Sequence, residues 1–185
     1  MRLDQVFRVS CLPRAAEVAQ DWGATHVVSL VDPELPDEKI PVITRGEHIV
    51  ARLRDQEASA FTGHFPDIVT NLFETLRPAV DSHGSRILVH CHAGVSRSTA
   101  FAYSLMAYRA GEGREEDAFE AFSLIVNKPW PNRRIVEILD AHLGRRGAML
   151  EPIDRLRAAN PRRIDAWHRY NLRRPYQDLM GNYGR

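Results

Sequence analysis

The chain has 185 residues, 44% of them apolar and 26% charged, with a formal net charge of +1. That length suffices for one domain with a hydrophobic core that needs no covalent staples, and the composition is that of a globular protein. A balance so close to neutral points to no partner class, and two cysteines, Cys11 and Cys91, make no disulfide framework.

The opening "MRLDQVFRVSCLP" lacks the basic segment and long apolar core of a secretory signal. No stretch reaches the roughly 20 apolar residues that span a bilayer, so a reducing cytoplasm is the expected home. "QVFRVS" and "HVVSLV" are short β-rich runs separated by "PRAAEVAQDWG", a helical stretch closed by Gly23. "VDPELPDEKIP" is turn-rich, "EHIVARL" predicts another strand, and "DQEASAFTGHFPD" predicts a loop. In "DIVTNLFETLRPAV", Ile68, Leu72, Phe73 and Leu76 share one helical face. "SHGS" ends that helix, and "RILVH" is a near-continuous apolar run suited to the centre of a sheet.

From Ser96 onward the pattern is helical. One helix runs to about Arg109 and stops at "AGEG"; the next, "REEDAFEAFSLIV", carries acids in its first turn, where the helix dipole favours them. "NKPWPN" interrupts the chain, and "RRIVEILDAHL" resumes the helical period before Gly144. Residues 148–185 predict one or two more helices, split near Asn160–Pro161, with Ile153, Leu156, Ile164 and Trp167 as an apolar face for packing. Residues 145–185 also hold ten arginines against Glu151, Asp154, Asp165 and Asp178. The acids, with Trp167, Tyr170 and Leu172, interrupt this charge, which reads as a solvated face rather than a nucleic-acid arm. The expected architecture is α/β: a central, mostly parallel sheet of four to five strands flanked by helices, with a helical C-terminal half. Residues 1–147 form the expected domain and 148–185 an extension packed on it.

The chemistry concentrates in "HCHAGVSRS", residues 90–98. A glycine-bearing loop between a central strand and a helix N-terminus gathers backbone N–H groups around one point, and the helix dipole adds positive charge there. Cys91 stands at the strand's end, where that field favours a thiolate. Arg97 offers a planar fork for two oxygens of a phosphoryl group. Nucleophile, anion cradle and clamp together describe phosphoryl transfer to sulfur.

This stretch resembles the H-C-x5-R-S/T signature of the cysteine-based protein tyrosine phosphatases, in particular the compact dual-specificity branch, in which A-G-x-S-R-S is common. The similarity in motif order covers roughly residues 4–144, including the "PN" before the last predicted core helix. It implies that Cys91 attacks phosphorus and forms a cysteinyl-phosphate. It further implies that N–H groups of His92, Ala93, Gly94, Val95, Ser96 and Arg97, with the Arg97 side chain, hold the equatorial oxygens. Ser98 would hydrogen-bond the sulfur and help it leave, and His90 would support the loop. His92 occupies a variable position of the signature, expected at the pocket rim. "HCH" could evoke a metal, but neighbouring positions rarely converge on one ion and no second cluster has ligand spacing; no metal and no cofactor are expected.

A phosphate ester also needs a proton for its leaving oxygen. The W-P-D motif of larger relatives is absent, whereas smaller relatives keep an Asp just after a strand. Asp55, 36 positions before Cys91, fits that place. Asp67 is second, at an expected helix start where capping is the ordinary role; Asp32 and Asp37 lie in the proline-rich turn. The expected activity is hydrolysis of phosphate monoesters, on phosphotyrosine or phosphoserine/threonine proteins or on a small phosphoester. The cysteine loop has no lysine of the kind that phosphoinositide-directed relatives carry, which favours protein substrates. Alternatives are a phospho-ligand-binding module of the same fold and a rhodanese-like or arsenate-reducing thiol enzyme. The last would need a resolving cysteine, for which only Cys11, distant in sequence, is present.

Overall fold

A computed structural model describes residues 2–57 and 63–163. Four strands, β1 (Phe7–Cys11), β2 (His26–Val31), β3 (Glu47–Arg52) and β4 (Ile87–Cys91), form one sheet in the order β1-β4-β2-β3, and every pairing is parallel. The count matches the lower expected number, and the sheet is wholly rather than mostly parallel. β4 is central, as its apolar run predicts: each of its five residues is buried. Both of its faces must be covered, so no polar alternation is written into it.

A four-residue turn of helix, α1 (Leu3–Val6), precedes β1 and pushes that strand two residues later than "QVFRVS" suggests. α2 (Ala15–Trp22) ends at Gly23, whose φ of +65° lets the chain reverse by a route closed to most side chains. α3 (Phe65–Asp81), α4 (Arg97–Ala110), α5 (Glu115–Ile125), α6 (Arg133–His142) and α7 (Leu150–Ala159) complete the fold.

The two faces of the sheet are unequal. Val28, Leu30, Ile87, Val89 and Cys91 face the large core, shared with Phe73, Leu76, Phe101, Tyr103, Phe122 and Leu139 from the helices. Val27 and Leu88 face a small cluster with Ala19 and Ala24. α4 lies in the large core and is buried on all sides from Arg97 to Ala107. Such a helix carries apolar residues round its whole circumference, which "TAFAYSLMA" supplies. Met149 and Ile153 join the same core, so α7 packs on the domain. Of the expected apolar face, Ile153 is buried and Leu156 half-buried. Ile164 and Trp167 lie outside the described residues.

Parallel strands end on the same side, and the segment after each strand emerges there. Cys11, Asp32, Leu53 and Cys91 all stand at or just beyond these carboxyl ends, the edge at which open α/β sheets build sites.

Candidate active site

Cys91 is the last residue of β4, and α4 begins at Arg97. The five residues between them form a loop, three of whose carbonyls accept from neighbouring segments. His92 O accepts from Leu12 N–H at 3.2 Å, Val95 O from Trp130 N–H at 2.9 Å, and Ser96 O from Asn132 N–H at 3.2 Å. Among the described residues, no backbone carbonyl accepts from the N–H groups of Ala93, Gly94, Val95 or Ser96. Gly94 has φ +71°, and a Cβ there would fall 2.7 Å from the Ser10 carbonyl oxygen. Only glycine fits both the conformation and the contact. Cys91 is buried, and its Sγ lies 3.1 Å from the hydroxyl of Ser98, in the first turn of α4.

Arg97 is held by its Nη1, which donates to Asp32 Oδ1 at 2.7 Å and to the Leu53 carbonyl at 2.6 Å. Its Nε is buried and makes no hydrogen bond. The side chain is only 4% exposed, so the ion pair with the one-fifth-exposed Asp32 is shielded from water. Asp32 follows β2 directly, and its place in a proline-rich turn hid this role. His92 does not stand out at a rim. Its Nε2 accepts the Asp32 N–H at 3.2 Å and lies 3.5 Å from Asp32 Oδ2. Burial holds His92 below the usual imidazole range, with Asp32 opposing and Arg97 reinforcing the shift.

Asp55 lies just past β3 and faces this loop. Its Oδ1 accepts from the Ser96 hydroxyl at 2.7 Å and from Asn132 Nδ2 at 2.7 Å, and its Oδ2 is 4.0 Å from Arg97 Nε. Asn132, fully buried, also donates to the Gln56 carbonyl at 3.1 Å and caps α6 by accepting Ile135 N–H at 3.0 Å. Asp67 is in the first turn of α3, highly exposed, with its carboxylate 3.8 Å from His64; no hydrogen bond joins it to the cysteine loop. Asp37 pairs with Arg52. The geometry therefore brings Asp55 and Asp32 to Arg97 and leaves the other two carboxylates elsewhere.

Behind the loop, His90 Nε2 is 2.5 Å from Ser29 Oγ, and Ser29 Oγ is 2.7 Å from His48 Nε2. These residues share the minor face of the sheet. Burial pushes His90 down to about 3, with His48, His92 and Arg97 adding to the shift, so it is neutral. Cys11 stands beside Cys91 as its register partner in β1. Its distance along the chain does not keep it from Cys91, since parallel pairing joins residues far apart in sequence. Both thiols are free. Among the described residues no group of three or more His, Cys, Asp or Glu could hold a metal ion, and no helix is long and apolar enough to cross a membrane.

Sequence reasoning noted Asp32 and the Asn132 of "PN" without giving them these roles, and missed Ser29 and His48. The available signal was positional: a polar residue directly after a predicted parallel strand, or in the break before a helix that follows the cysteine loop, sits where the site must form.

No family model matches the chain, and no curated protein matches it by sequence. Solved structures do match by fold. The Cydia pomonella PTP-2 phosphatase is 25% identical, aligns over 76% of this chain and 87% of its own, and gives a TM-score of 0.54. Human DUSP28 is 20% identical over 80% of this chain and 97% of its own, with a TM-score of 0.54. A human tyrosine phosphatase-like serine/threonine/tyrosine-interacting protein is 22% identical over 75% and 91%, with a TM-score of 0.51. Among the described residues the sheet is four-stranded and all-parallel and seven α-helices pack around it, and the chain has the dual-specificity-like fold of the cysteine-based protein tyrosine phosphatase superfamily.

Proposed function

We propose that the protein is a phosphatase that hydrolyses phosphate monoesters through a cysteinyl-phosphate, with phosphotyrosine proteins as the preferred substrate class and phosphoserine/threonine proteins next. The observation that carries this reading is the convergence, at one strand end, of Cys91 Sγ, four backbone N–H groups without carbonyl partners, and an Arg97 whose Nε is buried and unbonded. Asp32 and Leu53 engage Nη1, which leaves Nε and Nη2 as the edge that meets two phosphoryl oxygens.

In the first step Cys91 Sγ attacks phosphorus, the bond from phosphorus to the ester oxygen breaks, and Asp55 gives its proton to that oxygen. The loop N–H groups and Arg97 stabilise the charge on the equatorial oxygens. In the second step Asp55 takes a proton from water as the water oxygen attacks phosphorus. The S–P bond breaks, and the sulfur leaves as a thiolate that the Ser98 hydroxyl stabilises from 3.1 Å. Every participating group belongs to the chain, and a reducing compartment suits the free thiol. The absence of lysine in the loop favours protein substrates over phosphoinositides, and small phosphoesters remain within reach of the chemistry.

Hydrolysis of para-nitrophenyl phosphate tests the proposal. Turnover should persist in excess chelator and vanish in Cys91→Ser, and Asp55→Ala should retain substrate long enough to capture it. Phosphopeptide binding without turnover by the wild type would replace the enzyme with a binding module.

A second reading rests on the Cys11–Cys91 register pair. In an arsenate reductase, the Cys91 thiolate would attack arsenic(V) as an As–O bond breaks and water leaves. The Cys11 thiolate would then attack the Cys91 sulfur, breaking the S–As bond, so that the two thiols are oxidised to a disulfide, arsenic(V) is reduced and arsenite leaves. An external dithiol would reduce the disulfide. Arsenate reduction that disappears in Cys11→Ala would favour it; phosphatase turnover unaffected by Cys11→Ala, with no arsenate reduction, would dismiss it.

A further inference from the structure

Asp55 must be held over the cysteine loop if it is to pass a proton, yet it belongs to a segment, residues 53–57, with no secondary structure of its own. Its anchors come from outside. Two have been described: Ser96 and Asn132 fix Asp55, and Asn132 also fixes the Gln56 carbonyl. The third is Glu57. One of its oxygens accepts the Arg133 N–H at 2.9 Å, at the first turn of α6, where the helix dipole favours a carboxylate. Arg157 of α7 grips both Glu57 oxygens, Nη1 reaching Oε2 at 3.0 Å and Nη2 reaching Oε1.

Arg157 does more than pair with Glu57. Nη2 also donates to the Pro131 carbonyl at 2.7 Å, and the guanidinium lies 4.8 Å from the centre of the Trp130 ring. Trp130 in turn donates its backbone N–H to Val95 in the cysteine loop. The Arg157 side chain is largely buried, at 17% exposure. A planar fork stacked on an indole and bonded bidentately is fixed in orientation, unlike an ordinary surface ion pair. α7 therefore reaches the acid segment on one side and the wall of the cysteine loop on the other.

We propose that Arg157, through Glu57, is a positioning residue that latches the Asp55 segment over the cysteine loop, so that the helix following the catalytic core sets the efficiency of proton donation. The proposal rests on the phosphatase reading for its kinetic consequence, not for the latch itself.

Leaving-group dependence separates positioning from general damage. Nitrophenolate leaves readily without a proton, whereas phenolate needs one. In Arg157→Ala, kcat/KM for phenyl phosphate should fall about 10-fold or more, and that for para-nitrophenyl phosphate less than about 3-fold. Glu57→Gln, which leaves α7 untouched, should give the same pattern in weaker form, and Arg157→Lys should recover part of the loss. Adding Arg157→Ala to Asp55→Asn should cost nothing further on phenyl phosphate, because the acid it positions is gone. Arg155→Ala removes a different α7 pair, to Glu116 on α5, and should match wild type on both substrates. Equal losses on the two substrates, or full additivity with Asp55→Asn, would overturn the proposal. Amide exchange over residues 53–57 decides the latch without any turnover. Faster exchange in Arg157→Ala supports it, and unchanged exchange refutes it. A wild type that hydrolyses neither substrate refutes the phosphatase reading instead.

Discussion

Asn132 performs two tasks that substitution can pull apart. Its side-chain oxygen caps α6, and its Nδ2 tethers Asp55 and Gln56. Asn132→Ala removes both. Loss of an N-cap costs about 1 kcal/mol. Two lost hydrogen bonds cost about 1 kcal/mol each, with the bond to the 40%-exposed Asp55 discounted for solvent screening. The expected destabilisation is therefore between about 2 and 3 kcal/mol. Asn132→Ser keeps a capping oxygen but cannot span the distance to Asp55, so it should recover about 1 kcal/mol of stability and none of the tether. Urea unfolding should therefore rank wild type above Ser above Ala. Turnover of phenyl phosphate should drop to about the same extent in both variants, roughly 10-fold against a general-acid contribution of about 100-fold or more. Wild-type turnover in Asn132→Ser would show that the cap, and not the tether, matters for catalysis. Equal stability of Ser and Ala would show that the cap contributes nothing.

Two further outcomes follow from the groups around the loop. His90 has a folded value of about 3 against 6.5 for the unfolded chain, so between these values the unfolded state binds a proton that the fold refuses. The stability is complete above pH 6.5 and is lost as pH falls. From pH 7.5 to 5.0 this amounts to about 2 kcal/mol, and His90→Gln should remove that much of the pH dependence seen in urea unfolding; identical pH slopes in the two proteins would contradict the buried, neutral imidazole. Gly94→Ala puts a methyl group 2.7 Å from the Ser10 carbonyl oxygen at φ +71°. The backbone conformation alone costs about 1–2 kcal/mol, and thermal unfolding should register at least that, together with a turnover loss of about 10-fold or more. An unchanged melting temperature would mean that the loop relaxes freely.

The parts of the site legible in the sequence were those packed into contiguous residues. A strand, a glycine-bearing loop and a helix start place Cys91, Gly94, Arg97 and Ser98 together whatever the rest of the chain does, because the spacing is local. Asp55 was legible for a related reason: it directly follows an apolar strand, and parallel strands deliver their ends to one edge. The four-residue helix before β1 was not, since "DQV" reads equally well as strand entry and only packing at the sheet edge decides it. Asp32 illustrates the limit. In "VDPELPDE" only its place directly after the strand separates it from Asp37; β2 lying next to β4 sets Asp32 against Arg97 and leaves Asp37 with Arg52.

By itself, then, the sequence determined the α/β class, the central strand and the thiol–arginine loop, because hydrophobic period and turn chemistry act over a few residues. The strand order was decided only by tertiary structure. So were the neighbourhood of Cys11 and Cys91, the Ser29 and His48 contacts behind His90, and the joining of Glu57 to Arg157 across 100 positions of chain. Each depends on which segments the core brings side by side, and that is set by the burial of the whole domain rather than by any local run of residues.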